Sequence, residues 1–413
     1  MVECWLPYGN TEVHISVPIR NLLGTIEPRE GQPVLDPREA ILRSLQEPIG
    51  SKSVTELAVS RSKVAIAIDG TMSPPLVILA LRCIVESLRK VEYPMGEVSV
   101  LVGYGLREHR NKELIETISS SEVLRGLRVI EHQRGSGNIT SLGTTSKGTE
   151  VKVCSHLVDS DIRIAIGQVM IDHFSGMRGA QTTILPALSS LETIEQNRNL
   201  SFRGEVTPGI SEGNPVQADI MEATSMAEVD LAVNLVTNGR GEVVSVCSGD
   251  LNGTWEKALE DFDDIHKSEV EGNADIVIVS AGGSRFDFDL YNSVWALNEV
   301  PSIARKGASI ILLSECTEGL GADGLETLAQ VNDLDELRRR YMLGARAVHL
   351  IKSILRRSEI TIVSALPHYL AESLGIKVER TANEAYRRVV ESRRRGRRTL
   401  VITHGCSTVP YSP

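Results

Sequence analysis

His173 sits in Asp172-His173-Phe174-Ser175-Gly176, after an apolar strand-like run and three residues before a glycine. An imidazole ionises near neutral pH, so one held at a strand end can give and take a proton during a reaction. Packed in a core instead, it would only fill space. Arg107, Arg178, Arg198 and Arg285 occupy loops that follow apolar runs. Brought together, their planar donor forks would hold a carboxylate or phosphate; taken singly, each is a solvated surface charge. Asp69, Thr71, Tyr291 and Glu315 add polar groups in the same kind of place. The chemistry these types suggest is proton transfer on a bound small anion.

Buried strands must position them. Short apolar, β-branched runs recur at 63–69, 97–103, 161–167, 230–236, 275–281 and 309–314. Continuous rather than alternating hydrophobicity suits strands covered on both faces, as in a parallel sheet. Helical patterns at 75–90, 291–305 and 333–357 lie between them, which predicts βαβ units. In such sheets functional groups gather where strands end and helices begin. At 413 residues the chain exceeds one ordinary core. The expected architecture is α/β, with two doubly wound Rossmann-like domains (1–270 and 271–413) and a ligand in the interdomain cleft. The boundary falls after an acidic helix containing Asp261, Asp263 and Asp264.

Composition narrows the partners. A net charge of -10 and a pI near 5.5 argue against nucleic acid and anionic membranes. The basic run at 391–398 reads as a solvated helix end. No apolar run reaches the length of a membrane span, and the opening MVECWLPYGN lacks the features of a signal peptide. Six cysteines, Cys4, Cys83, Cys154, Cys247, Cys316 and Cys406, are scattered without a CxxC pair, so buried thiols in a reducing cytoplasm are expected.

A series of phrases resembles one family, the nickel-pincer lactate racemases. They are Leu6-Pro7-Tyr8-Gly9, EPIGSKSVTELA at 47–58, Asp69-Gly70-Thr71-Met72-Ser73-Pro74-Pro75, the segment from Asp172 through Ile184-Leu185-Pro186, Glu212-Gly213-Asn214-Pro215-Val216, Ser280-Ala281-Gly282-Gly283, Asp289-Leu290-Tyr291 and Glu315-Cys316-Thr317-Glu318-Gly319-Leu320-Gly321. They follow the family's order over nearly the whole chain. The resemblance implies a racemase or epimerase of a 2-hydroxy acid. It also implies a nicotinic-acid-derived mononucleotide holding nickel, a lysine that tethers it, a histidine that ligates the metal, a cation for the substrate carboxylate and two acid/base histidines.

The chain departs from that pattern at the residues that carry its chemistry. His173 matches one acid/base histidine. Arg107 stands at the other, with His109 two residues on as a substitute in a reshaped loop. A guanidinium stays protonated and cannot act as the base. The tether position is Thr182 or Thr183, and Arg198 follows Asn197 where the nickel ligand is expected. Met72 replaces the carboxylate-binding arginine, and Val294-Trp295 replaces a lysine. No metal ligand is assigned and the cofactor stays unknown.

Two readings follow. One is a divergent isomerase or related enzyme acting on an anionic 2-hydroxy acid or sugar acid, with His173 and His109 as acid/base. Asp69, Thr71, Arg107, Arg178, Arg198, Arg285 and Tyr291 would then bind the anion. The other is a non-catalytic paralogue that binds a small anionic metabolite or pairs with a homologue. Either could be a homo-oligomer.

Overall fold

The computed structural model describes the whole chain except residues 29–30, 59–62, 107–111, 133–136, 205, 239–240, 271–272, 323, 332, 340–341, 394–395 and 412–413. Arg107 and His109 therefore lie outside the described residues. The chain is a mixed α/β protein with parallel sheets, in two compact units: Glu30–Ile265, and Met1–Arg29 together with His266–Pro413.

In the 30–265 unit the main sheet runs, edge to edge, Val243–Gly249, Leu231–Thr237, Ile162–Asp172, Val64–Asp69, Val98–Gly103, Arg128–His132. All neighbours are parallel except the first pair. Every residue of Val64–Asp69 and of Leu231–Thr237 is buried, which is why their sequences are apolar except at Asp69, Asn234 and Thr237. Val64, Ile66 and Ile68 pack in one core with Val77, Ala80, Leu81, Ile84 and Leu88 of the helix Pro74–Lys90. Burying each such aliphatic side chain stabilises the fold by roughly 1.5–3 kcal/mol. That helix opens with proline in its first turn, where a missing N–H costs nothing, and closes on Arg89 and Lys90 against its negative end.

The strand Ile162–Asp172 is longer than its sequence pattern suggests. Ile166 pairs with Ile68, and the strand continues to Asp172, where it folds back through Gly176–Arg178 in an antiparallel hairpin. The tip of this hairpin carries His173. Gly176 has φ 78°, and a Cβ there would collide with the carbonyl of Ile210, so the tip admits only glycine at that place.

In the other unit six strands, all parallel, run Lys377–Glu379, Glu359–Val363, Ala304–Leu313, Ala274–Ser280, Thr399–Ile402, Leu22–Ile26. The last of these draws on the start of the chain. Residues 1–29 belong with the C-terminal unit, because Leu22–Ile26 takes the sheet edge beside Thr399–Ile402. Strand pairing ignores distance along the chain, so a compact unit can take segments from both ends of it.

Two expected helices are also broken. The 291–305 pattern is Leu290–Ser293, a 3-10 turn Val294–Leu297 and Val300–Ile303, where Pro301 occupies the start of the last piece. The 333–357 pattern is Leu334–Arg339 and Ala345–Leu355, the second entered through Gly344 at φ 91°. The six cysteines are free and buried, as their scatter predicts. Among the described residues no helix is long and apolar enough to cross a membrane.

Candidate anion-binding site

Three sequence-predicted side chains of the 30–265 unit meet around one carboxylate that sequence reasoning did not select. Asp172 ends the long strand and is buried. Its Oδ1 accepts the N–H groups of Phe174 at 2.9 Å and Ser175 at 2.8 Å, which folds the turn under His173. Arg198 Nη1 lies 3.4 Å from Asp172 Oδ1, and Arg178 Nη2 lies 3.7 Å from Asp172 Oδ2. Burial opposes ionisation of Asp172. Arg198, then Arg178, and the Ser175 N–H outweigh it and hold the carboxyl well below the usual carboxylate range.

Arg178 also reaches the neighbouring strand end. Its Nη1 is 3.7 Å from Asp69 Oδ2 and 3.4 Å from Thr71 Oγ1, while Asp69 Oδ1 accepts the Thr71 N–H at 2.8 Å. Asp69, Thr71, Arg178, Asp172 and Arg198 thus form one chain of contacts, with His173 next to Asp172 and half-buried. Arg198 is 7% exposed, and its guanidinium stands 3.9 Å from the Phe174 ring centre. Arginine tolerates such a place because its charge is delocalised and stacks on aromatic faces.

A second buried carboxylate sets Arg198 from behind. Asp219 is fully buried and accepts Thr145 Oγ1 at 2.5 Å, Thr149 Oγ1 at 2.7 Å and Asn197 Nδ2 at 2.9 Å. Asn197 also donates to the Val216 carbonyl at 3.2 Å, so the residue preceding Arg198 is held at two points.

The remaining predicted residues are elsewhere. Tyr291 and Arg285 belong to the other unit. Tyr291 is half-buried, with its ring edge-on to Trp295 at 5.8 Å; Arg285 is exposed, 5.6 Å from the Phe286 ring centre. That unit has its own acidic place, absent from the sequence-derived set except for Glu315. Asp287 is fully buried and its Oδ2 accepts the Gly9 N–H at 2.7 Å, with Glu315 also packed against Gly9. Burial, then Glu315, Cys316 and Asp287, push the Tyr8 phenol up to about 12.

The residues present do not fit a tethered nickel cofactor. Thr182 and Thr183 are buried, and their hydroxyls donate to the carbonyls of Gly179 at 2.7 Å and Ala180 at 2.8 Å. Neither offers the amine a tether needs. Arg198 is engaged with Asp172 and Phe174, and a guanidinium has no lone pair for a metal. Met72 is buried in the apolar core, as are Val294 and Trp295 in the other unit. Among the described residues no cluster of three or more His, Cys, Asp or Glu could hold a metal ion.

Comparison with known proteins gives a consistent pattern. Residues 8–208 match the lactate racemase N-terminal domain and residues 270–409 the lactate racemase C-terminal domain. A lactate racemase of Thermoanaerobacterium thermosaccharolyticum is 24% identical over 329 residues, 78% of this chain and 77% of that protein. One from Lactiplantibacillus plantarum is 21% identical over 424 residues, 99% of this chain and 100% of that protein. The solved lactate racemase apoprotein of T. thermosaccharolyticum shares the fold at TM-score 0.88 and 21% identity, covering 99% of this chain and 100% of its own. A Thermotoga maritima protein of known structure aligns at TM-score 0.71 and 15% identity, over 93% and 100%.

Proposed function

The chain belongs to the lactate racemase family, and from that premise we propose a divergent isomerase of an anionic 2-hydroxy acid or sugar acid that does not use the tethered nickel-pincer mechanism. The single observation behind this reading is the convergence of Arg178 and Arg198 on Asp172, the residue before His173. In this reading the guanidiniums hold the substrate carboxylate, His173 takes the proton from C2, α to that carboxylate, and a proton returned to the opposite face by its acid/base partner inverts the centre. Asp69 and Asp172 keep the two cations in place and partly neutralise them, so a monoanion suits the site better than a phosphate dianion. We take each unit to be a doubly wound, Rossmann-like domain, with His109 and Arg107 completing the acid/base and anion set. Its working place in this reading is the cytoplasm, on a small metabolite, as a homo-oligomer or beside a homologue.

The test is inversion at C2, followed by chiral chromatography over a panel of hydroxy acids and sugar acids with wild type and His173→Ala. Loss of at least about 100-fold in rate with retained binding is expected of an acid/base residue. An unchanged rate would sink the role given to His173. A second reading, a non-catalytic binding protein, is favoured by the ion pairs that already occupy Arg178 and Arg198. Its mark would be ligand-induced stabilisation without turnover.

A further inference from the structure

We propose that the chain associates with a second copy of itself through charge, a basic rim on one unit docking against an acidic corner on the 30–265 unit of the next copy.

Charge is divided unevenly between the two units. Residues 30–265 hold 22 lysines and arginines against 33 acidic residues, a net of -11. The other unit holds 22 against 21, a net of +1. The acidity of the chain therefore belongs to one unit alone.

In the other unit the cations gather at one end of the sheet. Its six strands are parallel, so all of them start on the same side. Arg20 lies just before Leu22–Ile26, Arg356 and Arg357 before Glu359–Val363, and Arg397 and Arg398 before Thr399–Ile402, while Lys306 lies near the start of Ala304–Leu313. Hydrogen bonds draw these starts together. The Gly307 N–H donates to the Arg357 carbonyl at 2.6 Å, Arg393 Nη1 to the Gly307 carbonyl at 2.9 Å, and the Thr399 N–H to the Asn21 carbonyl at 2.7 Å. Two acids stand among them, and each has its own partner. Asp275 lies 3.5 Å from Arg305 Nη1, and Glu359 lies 3.0 Å from Lys377 Nζ. Among the described residues the other six cations form no ion pair, and all but the half-buried Arg398 are exposed. A helix C-terminus accounts for Arg356, which caps Ala345–Leu355, but Arg20, Lys306 and Arg397 end no helix.

The 30–265 unit carries the opposite sign in the corresponding place. Ile162–Asp172 and Leu231–Thr237 are parallel neighbours, and Asp159, Asp161, Glu228 and Asp230 stand at their starts. Asp161 Oδ2 accepts the Lys63 N–H at 2.9 Å and Asp230 Oδ2 the Arg163 N–H at 2.8 Å, bonds that fix the carboxylates without neutralising them. Arg163 pairs with Glu228 at 3.1 Å, yet most of its donors go to the carbonyls of Leu157, Val158, Ser160 and Ala227. Among the described residues Asp159, Asp161 and Asp230 form no ion pair.

Unpaired like charges repel one another within a surface and attract a surface of opposite sign, which steers docking and selects the partner. A nucleic acid would meet the rim but be repelled by the net charge of the acidic unit, whereas a second copy brings the counter-charge itself. Rim and corner are different surfaces, so the contact is head-to-tail and each copy keeps one free face of each sign.

The test is sedimentation velocity of the full chain at about 50 mM and about 500 mM NaCl, the higher salt screening exposed charges beyond about 4 Å. Wild type should associate at low salt and dissociate at high salt. Arg356→Glu with Arg357→Glu reverses the rim, and Asp159→Lys with Glu228→Lys reverses the corner. Each double variant alone should associate at least about 100-fold more weakly, with its Tm within about 4 °C of wild type. An equimolar mixture of the two should form a dimer that grows no further, because each keeps the face the other has lost. A wild type that is monomeric at low salt, or whose association ignores salt, overturns the inference whether or not a variant folds. Double variants that assemble as wild type does, or a mixture that stays monomeric, overturn it too. A monomeric wild type that binds a single-stranded oligonucleotide, with binding lost in the rim variant, would give the rim to nucleic acid instead.

Discussion

Arg198 Nη1 lies 3.4 Å from Asp172 Oδ1 while its guanidinium rests 3.9 Å from the Phe174 ring centre, so one cation clamps both ends of the Asp172-His173-Phe174 segment. Removing it leaves a buried carboxylate with Arg178 as its remaining cation. Arg198→Met should therefore cost about 2–4 kcal/mol in urea unfolding. The double variant Asp172→Asn with Arg198→Met should recover about half of that loss, since neither charge is then left alone. A double variant as unstable as the sum of the singles would show that the pair does not couple.

Acid should destabilise the protein in two windows. Asp172 has its folded pKa depressed below the unfolded value of 3.8, so its contribution is complete above that pH and is lost as the pH falls towards the folded value. His349 is driven from 6.5 to about 4 by burial, then by Arg338, Arg346 and Arg356. There the unfolded chain takes up a proton that the folded one refuses, so stability declines as pH drops from 6.5 towards 4 and levels below. Chemical denaturation from pH 7 down to about pH 1.5 checks this: His349→Gln should flatten the upper window and Asp172→Asn the lower.

Asp219 is the support behind Arg198, and its loss should be felt at a distance. Asp219→Asn replaces an acceptor of three donors by a group that also donates, which strands at least one of Thr145, Thr149 and Asn197. A cost of about 1–3 kcal/mol in unfolding is expected. Affinity for a carboxylate ligand should fall with it, because Asn197 no longer fixes the turn before Arg198. Unchanged affinity at reduced stability would confine Asp219 to the core.

Protein purified from a host that makes the nickel cofactor should carry neither equimolar nickel nor a covalent adduct, by metal analysis and intact mass. Thr182 and Thr183 provide hydroxyls already bonded to carbonyls, and Arg198 provides a cation. Stoichiometric nickel would overturn the reading of these residues.

Much of the site's membership was legible before the fold was known. Asp69, Thr71 and Arg178 follow from one rule, that side chains of interest sit where buried strands end, whereas Arg198 came from the family pattern after Asn197 and lies in the last turn of the helix Leu191–Asn199. Asp172 escaped because a carboxylate before a histidine carries no mark of its own. Its weight comes from two arginines, 6 and 26 positions away, that only folding brings to it.

What the sequence determined by itself is the material. Continuous apolar runs dictated buried parallel strands, glycines dictated turns such as Gly176, and the residues at 182, 183 and 198 supply neither an amine nor an imidazole. Those are local properties of backbone sterics, hydrophobicity and side-chain chemistry. Tertiary structure decided the pairings. It placed Leu22–Ile26 beside Thr399–Ile402, broke the 291–305 and 333–357 patterns into shorter pieces, and set Arg178 and Arg198 on one carboxylate. Hydrogen bonds and charges act through space, so partners far apart in the chain become known only once the chain has closed on itself.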